Sequence, residues 1–324
     1  MNNQPSLSSL LEPVRADLEG VQQVLDGKLA QVQQPCQSVL QSRVGGGKRL
    51  RAALVVLAGR LLQVPMAPFY TLAAAVEILH AATLIHDDVV DRSPVRRGQA
   101  ALHTVWPVGA TVLAGDYLLA RSASLVAELG QPDLLRVFGD TLCTMCAGEI
   151  RQMLPANERD DPLTEYYHSI EAKTASLFAA AMQMAAMLAG ASKAQVVALR
   201  GYGRELGMAY QITDDVLDLI ADEKELGKAA GSDLRQGLPT LPILLYLQGT
   251  TEDCSVREAL AGQRDEEHVQ AAIQAIRSSG AIAAALAEAT AYSRRAREAL
   301  LTFPDTLARH TLTSLAEHLV ARRS

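Results

Sequence analysis

The chain of 324 residues is 49% hydrophobic but only 4% aromatic, which provides for a sizeable core of Ala, Leu, Val, Ile and Met, the strongest helix formers among them. A net charge of −6 leaves no basic footprint for nucleic acid, so an anionic ligand has to be held by local clusters. Four cysteines, Cys36, Cys143, Cys146 and Cys254, make no disulfide framework, and the first residues lack the positive start and apolar run of a signal peptide, so the expected address is cytoplasmic.

Helical periodicity is read over residues 7–40. The break that follows, Val44-Gly-Gly-Gly47, runs into Lys48-Arg49-Leu-Arg51. By itself this is a solvated basic turn; a nucleotide P-loop is excluded, because position 42 is Ser rather than Gly and Arg49 stands where Ser or Thr is needed. Helices are then expected over 50–62 and 68–90. The second carries His80 and ends in Asp87-Asp88-Val-Val-Asp91, followed by the basic loop Ser93-Pro-Val-Arg96-Arg97-Gly98. Further helices are expected over 112–129 and 134–153. Cys143 and Cys146 form a CxxC in the latter, but with no second pair to complete a zinc site they read as small core residues.

After the break at 155–162 comes a helix over 164–188 that includes Lys173-Thr174. Its most apolar stretch, 175–191, is short for a membrane span and reads as a fully buried helix. A long helix over 193–221 carries Gln211 and Asp214-Asp215-Val-Leu-Asp218. The glycines of Gly201-Tyr-Gly203 lie inside it and make no dinucleotide fingerprint. A Gly-rich basic break at 227–237 contains Lys228, and helices over 240–247, 256–260, 267–278, 282–301 and 305–322 complete the chain. Strand signals are nearly absent and no linker divides the sequence, so a single domain over 1–324 is expected.

The two Asp clusters share one spacing. Residues four apart lie about 40° apart around a helix axis and about 6 Å along it, so Asp87 and Asp91 share a face, as do Asp214 and Asp218. Solvated acidic faces are the plain alternative. Both clusters, however, sit in apolar sequence, where a solvated face would carry mixed polar residues. Crowded carboxylates repel, so a cation belongs between them, and hard oxygen donors that leave room for phosphate oxygens suit Mg2+. The arginines and lysines near glycine fit a diphosphate, since guanidinium forks match phosphate oxygens and glycine allows close backbone approach. His80 lies seven residues before Asp87 on nearly the same face, which favours a phosphate contact over a core role; His86 lies about 100° off and is left unassigned.

The combination of Gly46-Gly-Lys-Arg-Leu-Arg51, His80 ahead of the first Asp cluster, Arg96-Arg97-Gly98, Ala114-Gly-Asp-Tyr-Leu118, Gly148-Glu-Ile-Arg-Gln152, Lys173-Thr174, Gln211 with the second Asp cluster, and Gly227-Lys228 leading to Thr240-Leu-Pro242 resembles the trans-isoprenyl diphosphate synthases, specifically the polyprenyl synthases. The resemblance spans about residues 40–247. It implies an all-α, isoprenoid synthase-type helical bundle around a deep central cavity, in a homodimer. It implies that Asp87, Asp91 and Asp214 hold Mg2+, about three ions with substrate bound, with Asp88, Asp215 and Asp218 in support. Arg96, Lys173, Thr174, Gln211 and Lys228 would contact an allylic diphosphate; Lys48, Arg51, His80 and Arg97 would hold isopentenyl diphosphate. Two departures stand out: Ala52 occupies a position that is often Pro, and Leu238 one that is often Lys.

Product length would be limited by side chains below Asp87. Helix geometry puts Thr83 and Val76 on that face, and in similar enzymes the fourth and fifth residues before the cluster, here Thr83 and Ala82, form the floor. Both are small, so a product of medium to long chain is expected, with geranylgeranyl or farnesyl diphosphate as the alternative. Rival readings are a non-catalytic partner subunit, marked by lost carboxylates or arginines, and a terpene cyclase or head-to-head condensing enzyme, which needs no isopentenyl site. No nucleic acid is expected as partner, and membrane contact is at most transient.

Overall fold

The computed structural model describes residues 6–32, 36–45, 47–96, 98–153, 161–220, 230–250 and 255–322. In chain order these form α1 (Leu7–Leu10), a 3-10 turn (Glu12–Val14), α2 (Arg15–Leu29), α3 (Cys36–Gly45), α4 (Leu50–Leu61), α5 (Ala67–Val90), the strands β1 (Val95–Arg96) and β2 (Gln99–Ala100), α6 (Leu102–Val105), α7 (Val108–Glu128), α8 (Pro132–Met153), α9 (Pro162–Ile170), a π-helical turn (Glu171–Ala175), α10 (Ser176–Leu188) and α11 (Lys193–Ile220). The helices Ser232–Gln236, Leu241–Gly249, Ser255–Ala261, Glu266–Ser278, Ala281–Ala299 and Leu307–Ala321 follow. The all-α class is as the composition implies.

The chain divides into two compact units. One comprises Met1–Leu142, Leu177–Gly203 and Ala299–Leu315; the other comprises Cys143–Ser176, Arg204–Glu298 and Ala316–Ser324.

In the first unit α5 is the central element, with α2, α4 and α7 packed against it. Its sequence explains this: apart from its last turn it is Ala, Leu, Ile and Val nearly all round, and a helix apolar on every side has to be enclosed. The helix is long and apolar enough to cross a membrane, yet 61% of its most apolar window is buried in this fold. Pro68 stands in its first turn, where the missing N–H has no partner to lose. A polar tie fastens the bundle. Asp17 of α2 is 2% exposed and accepts from Arg60 of α4 through Nε (2.9 Å) and Nη2 (2.6 Å), and from the Tyr70 hydroxyl of α5 at 2.8 Å. A buried carboxylate is tolerated only with its lone pairs satisfied.

The second unit has an apolar core of Leu219, Leu234, Ile243, Val269, Ile273 and Ile276, and beside it a cluster including Tyr166, Met208, Ile212 and Leu244. Burying each such aliphatic side chain contributes about 1.5–3 kcal/mol.

Several expectations need correction. The periodic stretch 7–40 is not one helix but three helical segments and the start of a fourth, α3. The stretch 164–188 is interrupted by the π turn; the helix after it is apolar on nearly every side, so a shift of phase leaves no mark in the periodicity. A hairpin, Val95 opposite Ala100 and Arg96 opposite Gln99, follows the first Asp cluster; strands of two residues carry too little pattern to be read. Cys143 and Cys146 are exposed rather than core: α8 buries the face of Leu134, Val137, Phe138, Thr141 and Met145, and both cysteines lie off it.

Candidate active site

The first Asp cluster forms the last turn of α5, with Asp91 as its C-cap donating its N–H to the Asp87 carbonyl. The helix closes in a Schellman motif: Ser93 N–H reaches Asp88 O at 3.1 Å and Arg92 N–H reaches Val89 O at 3.4 Å, with Arg92 at φ 51° where glycine is usual. Three carboxylates at the negative end of a helix dipole raise one another's energy, and cations offset this. The hairpin supplies one. Arg96 Nε and Nη2 both lie 2.7 Å from Asp88 Oδ1, and Asp88 is 4% exposed. Asp87 is half-buried and Asp91 exposed.

The second cluster lies in the last two turns of α11 and also divides by burial, but with its third Asp inside rather than outside. Asp214 is exposed, while Asp215 and Asp218 are 5% and 3% exposed. Asp215 stands in a hydrogen-bonded chain: Thr174 Oγ1 donates to Gln211 Oε1 at 2.7 Å, Gln211 Nε2 to Asp215 Oδ1 at 2.8 Å, and the Tyr166 hydroxyl to Asp215 Oδ2 at 2.6 Å. Burial, and then the nearby Asp233, push the Asp215 carboxyl up to about 8, against which the Tyr166 and Gln211 bonds act. Asp218 is fixed by backbone: its carbonyl accepts from Gly231 N–H at 2.7 Å and its Oδ2 from Asp233 N–H at 3.0 Å.

The cationic residues are held in defined places. Lys173 sits in the π turn with Nζ 2.8 Å from Glu149 Oε1. Arg204 clamps Glu171, the first residue of that turn, through Nε (2.6 Å) and Nη2 (2.7 Å). In the other unit, Lys48 is exposed just ahead of α4, and the Arg51 guanidinium lies over the Phe178 ring, 4.6 Å from its centroid. His80 is half-buried on α5. Of the residues expected to limit chain length, Val76 and Ala82 are buried and Thr83 is half-buried, its hydroxyl donating to His80 O at 2.9 Å. Arg97 and Lys228 lie outside the described residues. Leu238 is half-buried and donates its N–H to Asp233 O at 2.9 Å.

Two motifs with no role assigned from sequence have structural ones. A Cβ on Gly115 would stand 2.2 Å from His86 Nε2, so glycine there admits the His86 ring, whose Nε2 also faces Val112 O (3.2 Å) and Asp116 Oδ1 (3.4 Å). A Cβ on Gly148 would stand 2.5 Å from Ala172 Cβ, so glycine lets α8 approach the π turn and bring Glu149 to Lys173. The contacts that Tyr166, Asp233, Glu171, Arg204 and Phe178 make with the expected site residues or their neighbours are not legible in the sequence, because each partner is remote along the chain.

Asp87, Asp91 and Asp214 are thus the solvent-accessible carboxylates of the two clusters, and Asp88, Asp215 and Asp218 the buried ones. Among the described residues, no group of three or more His, Cys, Asp or Glu converges as a closed protein cage would. Each cluster by itself offers only oxygen donors and an incomplete set of them, which fits a hard divalent cation that takes its remaining ligands from elsewhere. An all-α fold with two such helix ends defines an enzyme class that works on diphosphate esters.

The chain belongs to the polyprenyl synthetase family, whose model matches residues 31–276. It is a prenyltransferase, a trans-polyprenyl diphosphate synthase, of a family that is divalent-metal-dependent and uses isopentenyl and allylic diphosphates. It is similar to the nonaprenyl diphosphate synthase of Mycobacterium tuberculosis, with 37% identity over 313 residues, 95% of this chain and 93% of that protein. Component 2 of the heptaprenyl diphosphate synthase of Geobacillus stearothermophilus shares 36% over 317 residues, 94% of this chain and 99% of that one. A polyprenyl synthase from Caulobacter crescentus CB15, solved with calcium and isoprenyl diphosphate, superposes with a TM-score of 0.91 at 37% identity, covering 100% of both chains.

Proposed function

We propose that this chain extends an allylic diphosphate by repeated head-to-tail (1'-4) addition of isopentenyl diphosphate, to a product in the C30 to C50 range. The observation that carries the site is the division of each cluster by burial: Asp87, Asp91 and Asp214 reach solvent, where they would take up Mg2+, about three ions with substrate bound. When bound, Mg2+ neutralises the charge that grows on the departing diphosphate.

The protein's own groups do the rest. Arg96, Lys173 and Lys228 offer positive charge to the allylic diphosphate, and Thr174 and Gln211, already linked through Asp215 to Tyr166, orient it. The C1–O bond breaks with its electron pair leaving on the diphosphate. Lys48, Arg51, His80 and Arg97 hold isopentenyl diphosphate, whose double bond attacks C1 to form the new C–C bond. The proton then lost from C2 passes to the released diphosphate, so no side-chain nucleophile is required. A floor of Ala82 and Thr83 leaves room for a long chain.

The proposed assembly is a homodimer in the cytoplasm. Supporting a self-association face, α7 exposes Val108, Val112, Leu113 and Tyr117, at 55%, 37%, 68% and 38%, apolar surface that a second copy would cover. Similarity to a component 2 protein favours one other reading, a subunit that works with a second polypeptide. Purified protein incubated with Mg2+, isopentenyl diphosphate and each of the C10, C15 and C20 allylic primers tests both. Products longer than the primer by many units from this chain alone support the proposal; a C15-only product removes the long-chain reading, and activity that appears only with a second polypeptide replaces the homodimer.

A further inference from the structure

α4 begins at Leu50, and its third residue, Ala52, is 0% exposed. The backbone N–H of a residue in the first helical turn has no partner within the helix, and leaving it unsatisfied in the interior is costly. Here the partner comes from another helix: Ala52 N–H donates to Glu77 Oε1 of α5 at 2.9 Å. A carboxylate at that point also meets the positive end of the α4 dipole. Glu77 therefore caps α4 from outside its own sequence.

The helix start capped in this way carries Lys48 and Arg51, and Glu77 stands one turn before His80 on α5. We propose that Glu77 is a positioning residue for isopentenyl diphosphate: by gripping the Ala52 N–H it sets the register between the two elements that present Lys48, Arg51 and His80. This rests on the reading of those three as the isopentenyl site. The device needs a backbone N–H at position 52. Proline there would have no N–H to donate and would set the first turn by its own ring. With alanine the same start is free to shift, and Glu77 takes over that constraint.

Steady-state kinetics of Glu77→Ala, Glu77→Gln, Ala52→Pro and the Ala52→Pro/Glu77→Ala double variant test this, with Lys48→Ala as reference. Glu77→Ala is expected to raise KM for isopentenyl diphosphate about tenfold while KM for the allylic primer moves less than about twofold. Glu77→Gln restores most of the loss, because its amide oxygen accepts the same N–H. In the Ala52→Pro background Glu77→Ala adds less than about twofold, since the bond it removes is already gone. Equal effects on both KM values, or the full effect persisting in the Ala52→Pro background, overturn the inference alone when Lys48→Ala still raises KM for isopentenyl diphosphate. An unchanged KM in Lys48→Ala overturns the assignment of the site and the inference with it. Should Glu77→Ala fail to fold, Glu77→Met, which fills similar space but offers no oxygen acceptor, takes its place in the same cycle with Ala52→Pro.

Discussion

The Tyr166 hydroxyl donates to Asp215 Oδ2 across 2.6 Å in a buried setting, and each group alters the other. Burial, followed by the charge of Asp215, raises the Tyr166 phenol well above its usual range, so it remains a donor at any working pH.

Asp215, pushed up to about 8 by burial and by Asp233, is neutral in the metal-free protein at pH 7. A carboxyl raised in this way contributes stability that is full below its unfolded value of about 3.9 and is lost as pH rises through about 8, at up to about 1.4 kcal/mol per pH unit. Thermal unfolding in EDTA should therefore show Tm falling between pH 5 and pH 8. Asp215→Asn should flatten that fall, and Tyr166→Phe, which removes a bond favouring the carboxylate, should move it to higher pH. A profile unchanged in Asp215→Asn would refute the assignment.

Arg96→Ala removes the cation from Asp88, whose side chain is 6% exposed while that of Arg96 is 34% exposed. An abandoned buried carboxylate costs about 3–5 kcal/mol; the partial exposure of the arginine reduces this to about 2. Chemical denaturation should report that loss, and Asp88→Asn in the Arg96→Ala background should recover part of it.

Arg92 closes the Schellman motif at φ 51°, a conformation that costs a non-glycine residue about 1 kcal/mol. Arg92→Gly should stabilise the protein by roughly that amount with little change in kcat, while a β-branched residue there should destabilise it. Equilibrium unfolding of Arg92→Gly and Arg92→Val distinguishes the two directions.

Gly203 on α11 faces the backbone of α10, where an added Cβ would stand 2.4 Å from the Phe178 carbonyl oxygen. Neither helix yields cheaply, so Gly203→Ala should cost about 1–3 kcal/mol. Because Phe178 also carries the Arg51 guanidinium, the same change should raise KM for isopentenyl diphosphate. Gly201→Ala, with nothing within 4 Å of its added Cβ, should be neutral or slightly stabilising.

Ala82→Phe and Thr83→Phe should shorten the product towards C15 or C20, read by chromatography of the dephosphorylated alcohols, since a ring in place of a small side chain fills the path below Asp87. Ala82 is 1% exposed, so Ala82→Phe should also lower Tm, whereas the half-buried Thr83 is the milder test. An unchanged product distribution in both places the floor elsewhere.

The sequence by itself determined the helical class, the positions of most long helices and both carboxylate clusters, because those signals are local. Apolar periodicity and the four-residue spacing of Asp87 with Asp91, or Asp214 with Asp218, are properties of one helix read alone. Which carboxylates stay open and which are buried was decided by tertiary structure. Asp87 and Asp88 are adjacent and chemically identical, yet the hairpin lays Arg96 on one of them. Asp215 differs from Asp214 because Tyr166 and Gln211 reach it. The π turn that carries Lys173 and Thr174, the glycines that admit His86 and Ala172, and the cap that Glu77 places on α4 were equally beyond local reading. Each depends on two segments meeting at a distance set by packing, and hydrogen bonds and excluded volume between remote residues leave no period in the chain.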